Sequence, residues 1–493
     1  MSADLILAID QGTTGSTCLL VDTELRVLAK ANHEFPQHFP RPGWVEHDPE
    51  ELWASVLHSI VDVLGRVDAP VERIAAIGIT NQRETSLLWD RKTSQPLHRA
   101  LVWQDRRTAD TCAQLEAAGH QARVRELTGL VLDPYFSATK IAWVLDHVDG
   151  ARARAEAGQL AAGTIDTYLL WRLTGGAVHA TEPSNASRTL LWPLCGGGWS
   201  DEMCERMRVP RALLPEVRPC AGEFGRTRGV PGLPDGIPIC GIAGDQQSAL
   251  FGQACFEVGQ AKCTYGTGAF ALLNTGTRAV PSEHGLLTTV GWQLGDVTTY
   301  CLEGSSFMAG AVVQWLRDQL GLIARASDVE ALARSVDDSD GVVLVPAHAG
   351  LGAPHWRPDA RGLIRGITRG TGRGHLARAA LEGIALQIAD LLEAMAADLG
   401  APLELLRVDG GAAANDLLMQ MQSDLLGIPL DRPTMLESTA LGAISLAGLG
   451  VGLWPDTTAL RRAWQRDRQF TPAGDPAKMD ALRKAWRAAL ACA

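Results

Sequence analysis

The first thirty residues alternate short apolar runs with tight polar turns. Residues 5–9 are apolar and end at Asp10; residues 11–15 are rich in Gly and Thr; residues 17–21 are apolar again. A polar turn at 22–24 leads to a third run over 25–30. Runs this short, bounded by Gly, Thr and Asp, predict strands, here an antiparallel meander with a Gly-rich first hairpin. Asp48, Pro49, Glu50 and Glu51 then predict a helix start: an N-cap carboxylate, a proline in the first turn and acids near the positive end of the dipole. Residues 72–80 and 85–90 predict strands on either side of the polar tetrapeptide Asn81-Gln82-Arg83-Glu84. Helices are expected over 105–118 and 138–148, and an exposed helix or connection over 151–157.

A second cycle of similar texture begins near residue 240. An apolar strand over 239–243 runs into Gly244-Asp245, and a helix is expected over 246–252. Residues 261–273 again read as strand, Gly turn, strand. Helices are expected over 306–320, 375–399, 415–426 and 439–449, with a short strand over 405–408. The fold class is therefore α/β, in two similar halves that meet near 245–255.

Composition narrows the function classes. A chain of 493 residues supports at least two domains. Its net charge of −11 argues against nucleic acid or an anionic membrane as the main partner, but not against a local phosphate site. None of the ten cysteines has CxxC spacing and no HExxH is present, so reduced, mostly buried thiols are expected rather than a zinc site. The first ten residues lack the basic n-region of a signal peptide, and no apolar run approaches the ~20 residues of a membrane span. A soluble, cytoplasmic protein is the expectation.

Three Gly-rich turns follow apolar strands: DQGTTG at 10–15, TYGTGA at 264–269 and DGGAAAN at 409–415. Small residues let backbone N–H groups approach phosphate oxygens, Thr hydroxyls add donors, and an Asp at a strand end suits Mg²⁺. Neither GxxxxGK[ST] nor a strand-associated GxGxxG is present, and any one such turn is also an ordinary hairpin. GIAGDQQ at 241–247 reads two ways: as a capped helix start, or as a hydroxyl site with Asp245 as general base and Gln246 orienting a neighbouring hydroxyl. Arg83-Glu84 likewise reads as a surface ion pair or as a clamp on vicinal hydroxyls. Trp103, Tyr135 and Phe270 are plain core aromatics or apolar walls for a substrate's carbon edge.

Further segments carry a resemblance: PGWVEHDP at 42–49, IGITNQRET at 77–85, TGLVLDPYFS at 128–137, SNASRT at 184–189, Glu303-Gly304 with FMAG at 307–310, GLGAPHW at 350–356 and RVDGG at 407–411. With the turns above, they make the chain similar to the FGGY carbohydrate kinases from residue 5 to about 470. The resemblance implies two actin-like (ribonuclease-H-like) ATPase domains around a central cleft, 1–248 carrying polyol and phosphate contacts and 249–493 the nucleotide. It implies ATP/ADP and Mg²⁺ as cofactors. NQRET together with GDQQ marks the members that act on glycerol rather than on pentoses; a sibling acting on a ketopentose or other polyol would keep the same fold.

Carried over by position, the polyol contacts are Arg83, Glu84, Trp103, Tyr135, Asp245, Gln246 and Phe270, with Asp245 as base. Asp10 and Asp245 form the metal environment, and Thr13, Thr14, Gly15, Thr267, Gly310, Gln314, Gly411 and Asn415 contact nucleotide. A homodimer or homotetramer is implied. The first turn departs from the family: Gly15-Ser16-Thr17 stands where relatives continue Ser-Ser-Arg, which predicts weaker nucleotide binding or slower transfer. The 226–235 loop lacks the Gly-Gly-x-Arg-like stretch of members inhibited by sugar bisphosphates. No His lies between His179 and His284, where some relatives are activated by phosphorylation.

Overall fold

The computed structural model describes residues 4–68, 71–357 and 359–493, so Met1–Ala3 of the N-terminal stretch lie outside it. Strands Leu5–Gln11, Gly15–Asp22 and Val27–Glu34 form the antiparallel meander. The third strand starts later than its apolar run because the Asp22 carboxylate accepts from the backbone N–H of Glu24 and of Arg26, which extends the turn. On the other side of the first strand, Ile74–Asn81 and then Pro238–Gly244 add in parallel, and Ala221–Arg226 closes the edge. Burial of both faces explains why Ile74–Asn81 reads as an unbroken apolar run.

The second sheet repeats the plan. Gln260–Tyr265, Ala269–Gly276, Val297–Ser306 and Leu287–Leu294 form an antiparallel series, while Leu405–Asp409 and Leu430–Pro433 add in parallel on the other side. Arg466–Phe470 closes that edge. Each sheet has its own apolar core. The result is the two-domain α/β architecture expected from the sequence. In both sheets the parallel strands end on the same side, the edge at which open α/β sheets take ligands.

Local chemistry sets the helix ends. Helix Pro49–Gly65 begins where the Asp48 carboxylate accepts from the Glu50 N–H at 2.9 Å, with Pro49 in the first turn. Its apolar face, Leu52, Trp53, Val56, Ile60 and Val63, is buried against the first sheet. Such side chains each contribute about 1.5–3 kcal/mol on burial.

Three expectations need correction. The helix expected over 306–320 is Gly310–Asp318, because Ser306 is still the last residue of strand Val297–Ser306. The helix expected from 105 starts only at Ala109, because the buried Asp105 carboxylate ties down the N–H groups of Val45 and Arg107 and holds the chain in a turn. The connection at 151–157 is helix Ala151–Glu156, and it is not wholly exposed, since Ala151 and Ala155 are buried.

Helix Ser438–Gly450 comes late in the chain yet packs on the first sheet. A Cβ on Gly78 would lie 2.3 Å from the Ala443 carbonyl oxygen, and one on Gly241 would lie 2.3 Å from the Ala447 nitrogen. The same helix crosses helix Asp245–Gly252, where a Cβ on Gly442 would stand 1.9 Å from the Ser248 carbonyl oxygen. Glycines thus allow backbone contact between the two helices that lie between the sheets. No helix among the described residues is long and apolar enough to cross a membrane.

Candidate active site

Sheet register brings the candidate carboxylates together. Asp10 pairs with Thr80 and Thr80 with Ala243, so Asp10, the Asn81–Thr85 loop and Gly244–Gln246 all emerge at one edge. The side chains lock that edge. Gln82 Nε2 donates to Gln11 Oε1 at 3.0 Å and to the Gly12 carbonyl at 3.1 Å. Asn81 and Asn185 exchange two 3.0 Å bonds. Trp103 Nε1 donates to Thr13 Oγ1 at 3.0 Å, tying an aromatic wall to the first Gly-rich turn. The Trp103 and Tyr135 rings meet edge to face at 5.6 Å.

Asp245 is the first residue of its helix. Its Oδ1 accepts from the Gln246 backbone N–H at 2.7 Å and lies 3.0 Å from Arg83 Nε. Among the described residues Oδ2 accepts no hydrogen bond, and the side chain keeps 31% of its exposure. A half-open carboxylate oxygen beside a guanidinium is free to take a proton from a bound hydroxyl.

Arg83 and Glu84 are not a surface pair, since their side chains are each 2% exposed. They belong to a buried quartet with Arg188 and Glu303. Glu303 comes from the second sheet and receives Arg83 in bidentate fashion, Nη1 at 2.6 Å and Nη2 at 2.9 Å. Arg188 Nε donates to Glu84 Oε1 at 2.5 Å, and its Nη2 lies 3.3 Å from Glu303 Oε1. Burial alone pushes the Glu303 carboxyl up, but Arg188 and Arg83 together overcome it and hold it at about 2. Glu84 moves the other way, because its burial outweighs the same two guanidinia. Glu84 also sits at φ +60°, a left-handed conformation that costs a non-glycine residue about 1 kcal/mol or more. Its Oε2 has no partner among the described residues and is an acceptor open to a hydroxyl. Arg83 is already heavily engaged, with Gln247 Oε1 at 3.2 Å and Tyr135 OH at 3.4 Å as its further acceptors.

The Gly-rich turns of the second half also converge. Gly410, at φ +85°, lies against Tyr265, where a Cβ would be 2.6 Å from the carbonyl oxygen. The Gly310 N–H donates to the Gly266 carbonyl at 2.9 Å, which sets the start of helix Gly310–Asp318 beside the same turn. Thr267, Gln314 and Gly411 are exposed around this junction, and Asn415 caps helix Asp416–Leu426 by accepting from the Leu418 N–H at 2.9 Å. In the first turn Thr13 is half-buried, Thr14 exposed and Gly15 buried. Phe270 is half-buried on strand Ala269–Gly276. Thr17, in place of a cation, accepts from Asn32 Nδ2 at 2.8 Å.

Two family models cover this arrangement. The N-terminal domain model of the FGGY family of carbohydrate kinases matches residues 5–252, and the C-terminal domain model matches residues 261–451. The chain belongs to the FGGY family of carbohydrate kinases. A glycerol kinase of Myxococcus xanthus is 58% identical over 490 residues, 99% of each chain. The crystal structure of Plasmodium falciparum glycerol kinase with ADP superposes with a TM-score of 0.94 at 36% identity, covering 100% of this chain and 98% of that one. A ligand-bound xylulose kinase of Lactobacillus acidophilus superposes with a TM-score of 0.88 at 21% identity, covering 99% and 97%, and shares the fold.

In this carbohydrate kinase several site-forming residues escape a reading of local pattern. Glu303 and Arg188 fall in segments that carry the family resemblance, but nothing local marks Glu303 as the partner of Arg83 or Arg188 as the partner of Glu84. Lys140 is another: its buried Nζ donates to the carbonyls of Pro134, Tyr135 and Phe136 at 2.8, 2.6 and 2.8 Å, fixing the loop that carries Tyr135. Lys262 is buried as well and donates to Gln246 Oε1 and, at 2.9 Å, to Thr264 Oγ1.

Proposed function

We propose that this chain transfers the γ-phosphate of ATP to a terminal hydroxyl of glycerol, giving sn-glycerol 3-phosphate and ADP. The observation that carries the reading is Asp245, a partly exposed carboxylate with one oxygen held by Arg83 and the Gln246 N–H and the other without a partner among the described residues. Relatives named glycerol kinase support glycerol as acceptor, and the ADP in the P. falciparum structure supports ATP as donor.

Glu84 Oε2 accepts from one glycerol hydroxyl and Gln246 holds a second, with Arg83 able to join it by exchanging its long 3.4 Å bond to Tyr135 OH for the substrate. Trp103, Tyr135 and Phe270 cover the carbon edge. The remaining terminal hydroxyl then faces Asp245 Oδ2, which takes its proton as the oxygen attacks the γ-phosphorus. Thr13, Thr14, Gly15 and Thr267 donate to phosphate oxygens, while Gly310, Gln314, Gly411 and Asn415 surround the nucleoside. In this reading residues 1–248 carry the polyol and phosphate contacts and residues 249–493 the nucleotide. Closure of the two halves excludes water, so that the hydroxyl rather than solvent receives the phosphoryl group.

The site also fits Mg²⁺. Burial first, and then the negative charges of Asp245 and Glu437, push the Asp10 carboxyl up to about 8, and a divalent cation would offset both. No group of three or more His, Cys, Asp or Glu among the described residues is arranged to hold a metal, so an ion here would take waters and substrate phosphates as its other ligands. Asp10 and Asp245 would hold it, and it would neutralise charge on the transferring phosphoryl group.

The test is Asp245→Asn, assayed for both turnover and glycerol binding by calorimetry. Loss of a general base predicts a fall in kcat of about 10²–10⁴ with glycerol still bound. Near-normal kcat would remove Asp245 from the role of base.

A further inference from the structure

Strand Gln260–Tyr265 sends alternate side chains to opposite faces. Ala261, Cys263 and Tyr265 join the core of the second half. Lys262 and Thr264 point the other way, toward the start of helix Asp245–Gly252. Lys262 is 0% exposed, and its Nζ donates to Gln246 Oε1 and Thr264 Oγ1. Burial pulls the Lys262 ammonium down in pKa, and the carboxylates of Asp409 and Asp245 oppose that shift.

We propose that Lys262 is a positioning residue that turns the Gln246 carboxamide so that it can only donate to the substrate. An ammonium has three N–H donors and no acceptor. The atom of Gln246 that faces it must therefore be the oxygen, which turns Nε2 the other way. Nε2 has no acceptor among the described residues, and Gln246 is half-buried. It therefore offers two oriented N–H donors to an oxygen of the bound polyol. A free carboxamide presents its oxygen or its nitrogen with similar ease, whereas one pinned by Lys262 is prepared for an acceptor only. The second half of the chain, through Lys262, thereby sets the polarity of a contact made by the first half.

This inference rests on the reading of Gln246 as a polyol contact. The experiment is a double-mutant cycle on the full chain, using Lys262→Met, Gln246→Ala and the pair, with glycerol KM and kcat measured at saturating Mg·ATP. Lys262→Met is expected to raise glycerol KM about ten-fold, the loss of one oriented hydrogen bond, while kcat changes less than about three-fold. On the Gln246→Ala background the same change should add less than about two-fold, because the group Lys262 acts on is gone. Gln246→Glu keeps the bond to Lys262 but has no N–H to donate, so the polyol hydroxyl must reorient to donate instead, and its KM should rise above that of wild type. An unchanged KM in Lys262→Met, an equal rise on both backgrounds, or a Gln246→Glu variant with wild-type KM would each overturn the proposal. If wild type phosphorylates a pentulose and not glycerol, the substrate reading fails separately, and the same cycle run with that sugar decides the role of Lys262.

Discussion

Replacing Glu303 with Gln keeps the shape of the side chain and removes one charge from the buried quartet. Arg83, Arg188, Glu84 and Glu303 are each no more than 3% exposed, and their formal charges sum to zero. With Gln at 303, Arg83 and Arg188 lose the carboxylate they share, and only buried Glu84 and the partly exposed Asp245 remain to balance them. Breaking a buried pair in this way costs about 3–5 kcal/mol. A second route gives a similar size. A carboxyl that moves from 4.5 to about 2 on folding contributes about 3 kcal/mol at neutral pH.

The sign follows from the direction of the shift. The folded value is depressed, so the contribution is present above the unfolded value and is lost as pH falls toward 2. The assay is denaturant unfolding followed by tryptophan fluorescence, wild type against Glu303→Gln, from pH 8 to pH 3. The difference should stay near 3–5 kcal/mol down to about pH 5 and narrow below it. A difference under about 0.5 kcal/mol at pH 7, the size expected of an ordinary surface change, would refute the argument.

Three further outcomes are expected. Gly442→Ala should destabilise the chain by more than about 2 kcal/mol, because its Cβ would meet the Ser248 backbone at 1.9 Å; Gly65→Ala, with open space around it, should stabilise by about 0.5–1 kcal/mol, both read from denaturation midpoints. Apparent Mg·ATP affinity should fall as pH drops below about 8, by up to about ten-fold per unit, because a proton on Asp10 competes with the metal, and Asp10→Asn should weaken binding while flattening that dependence; titration calorimetry across pH 6–9 checks it. Thr17→Arg should lower the KM for ATP or raise kcat by supplying the cation missing from the first Gly-rich turn, and steady-state kinetics showing both constants unchanged would dismiss the effect.

Much of the site was legible in local pattern because it lies where strands end. Asp10, Asn81–Glu84 and Gly244–Gln246 each follow an apolar run, and that signal needs no knowledge of the partner strands. Residues 184–189 and 303–304 carry the family resemblance, which does not show what they touch. Arg188 and Glu303 stood unassigned because their partners are 104 and 220 residues away in sequence: folding of the first half brings Arg188 to Glu84, and the meeting of the two sheets brings Glu303 to Arg83. That Arg83-Glu84 is not a surface pair follows from burial that the dipeptide does not encode. The helix expected from residue 306 failed for a similar reason: Ser306 pairs with Ala269 across the second sheet, and that contact outweighs the local tendency of the segment. Likewise nothing near residue 440 indicates that helix Ser438–Gly450 packs on a sheet formed by residues 5–244; its glycines become informative only beside Gly78, Gly241 and Ser248.

The most direct test of the account is a competition assay. Purified chain, ATP and Mg²⁺ are given glycerol, xylulose, ribulose and erythritol at equal concentration, and the phosphorylated products are separated and identified. The account predicts sn-glycerol 3-phosphate as the dominant product, absent when Asp245 is replaced by Asn. A pentulose phosphate as the main product, or glycerol phosphate formed at an undiminished rate by Asp245→Asn, would contradict it.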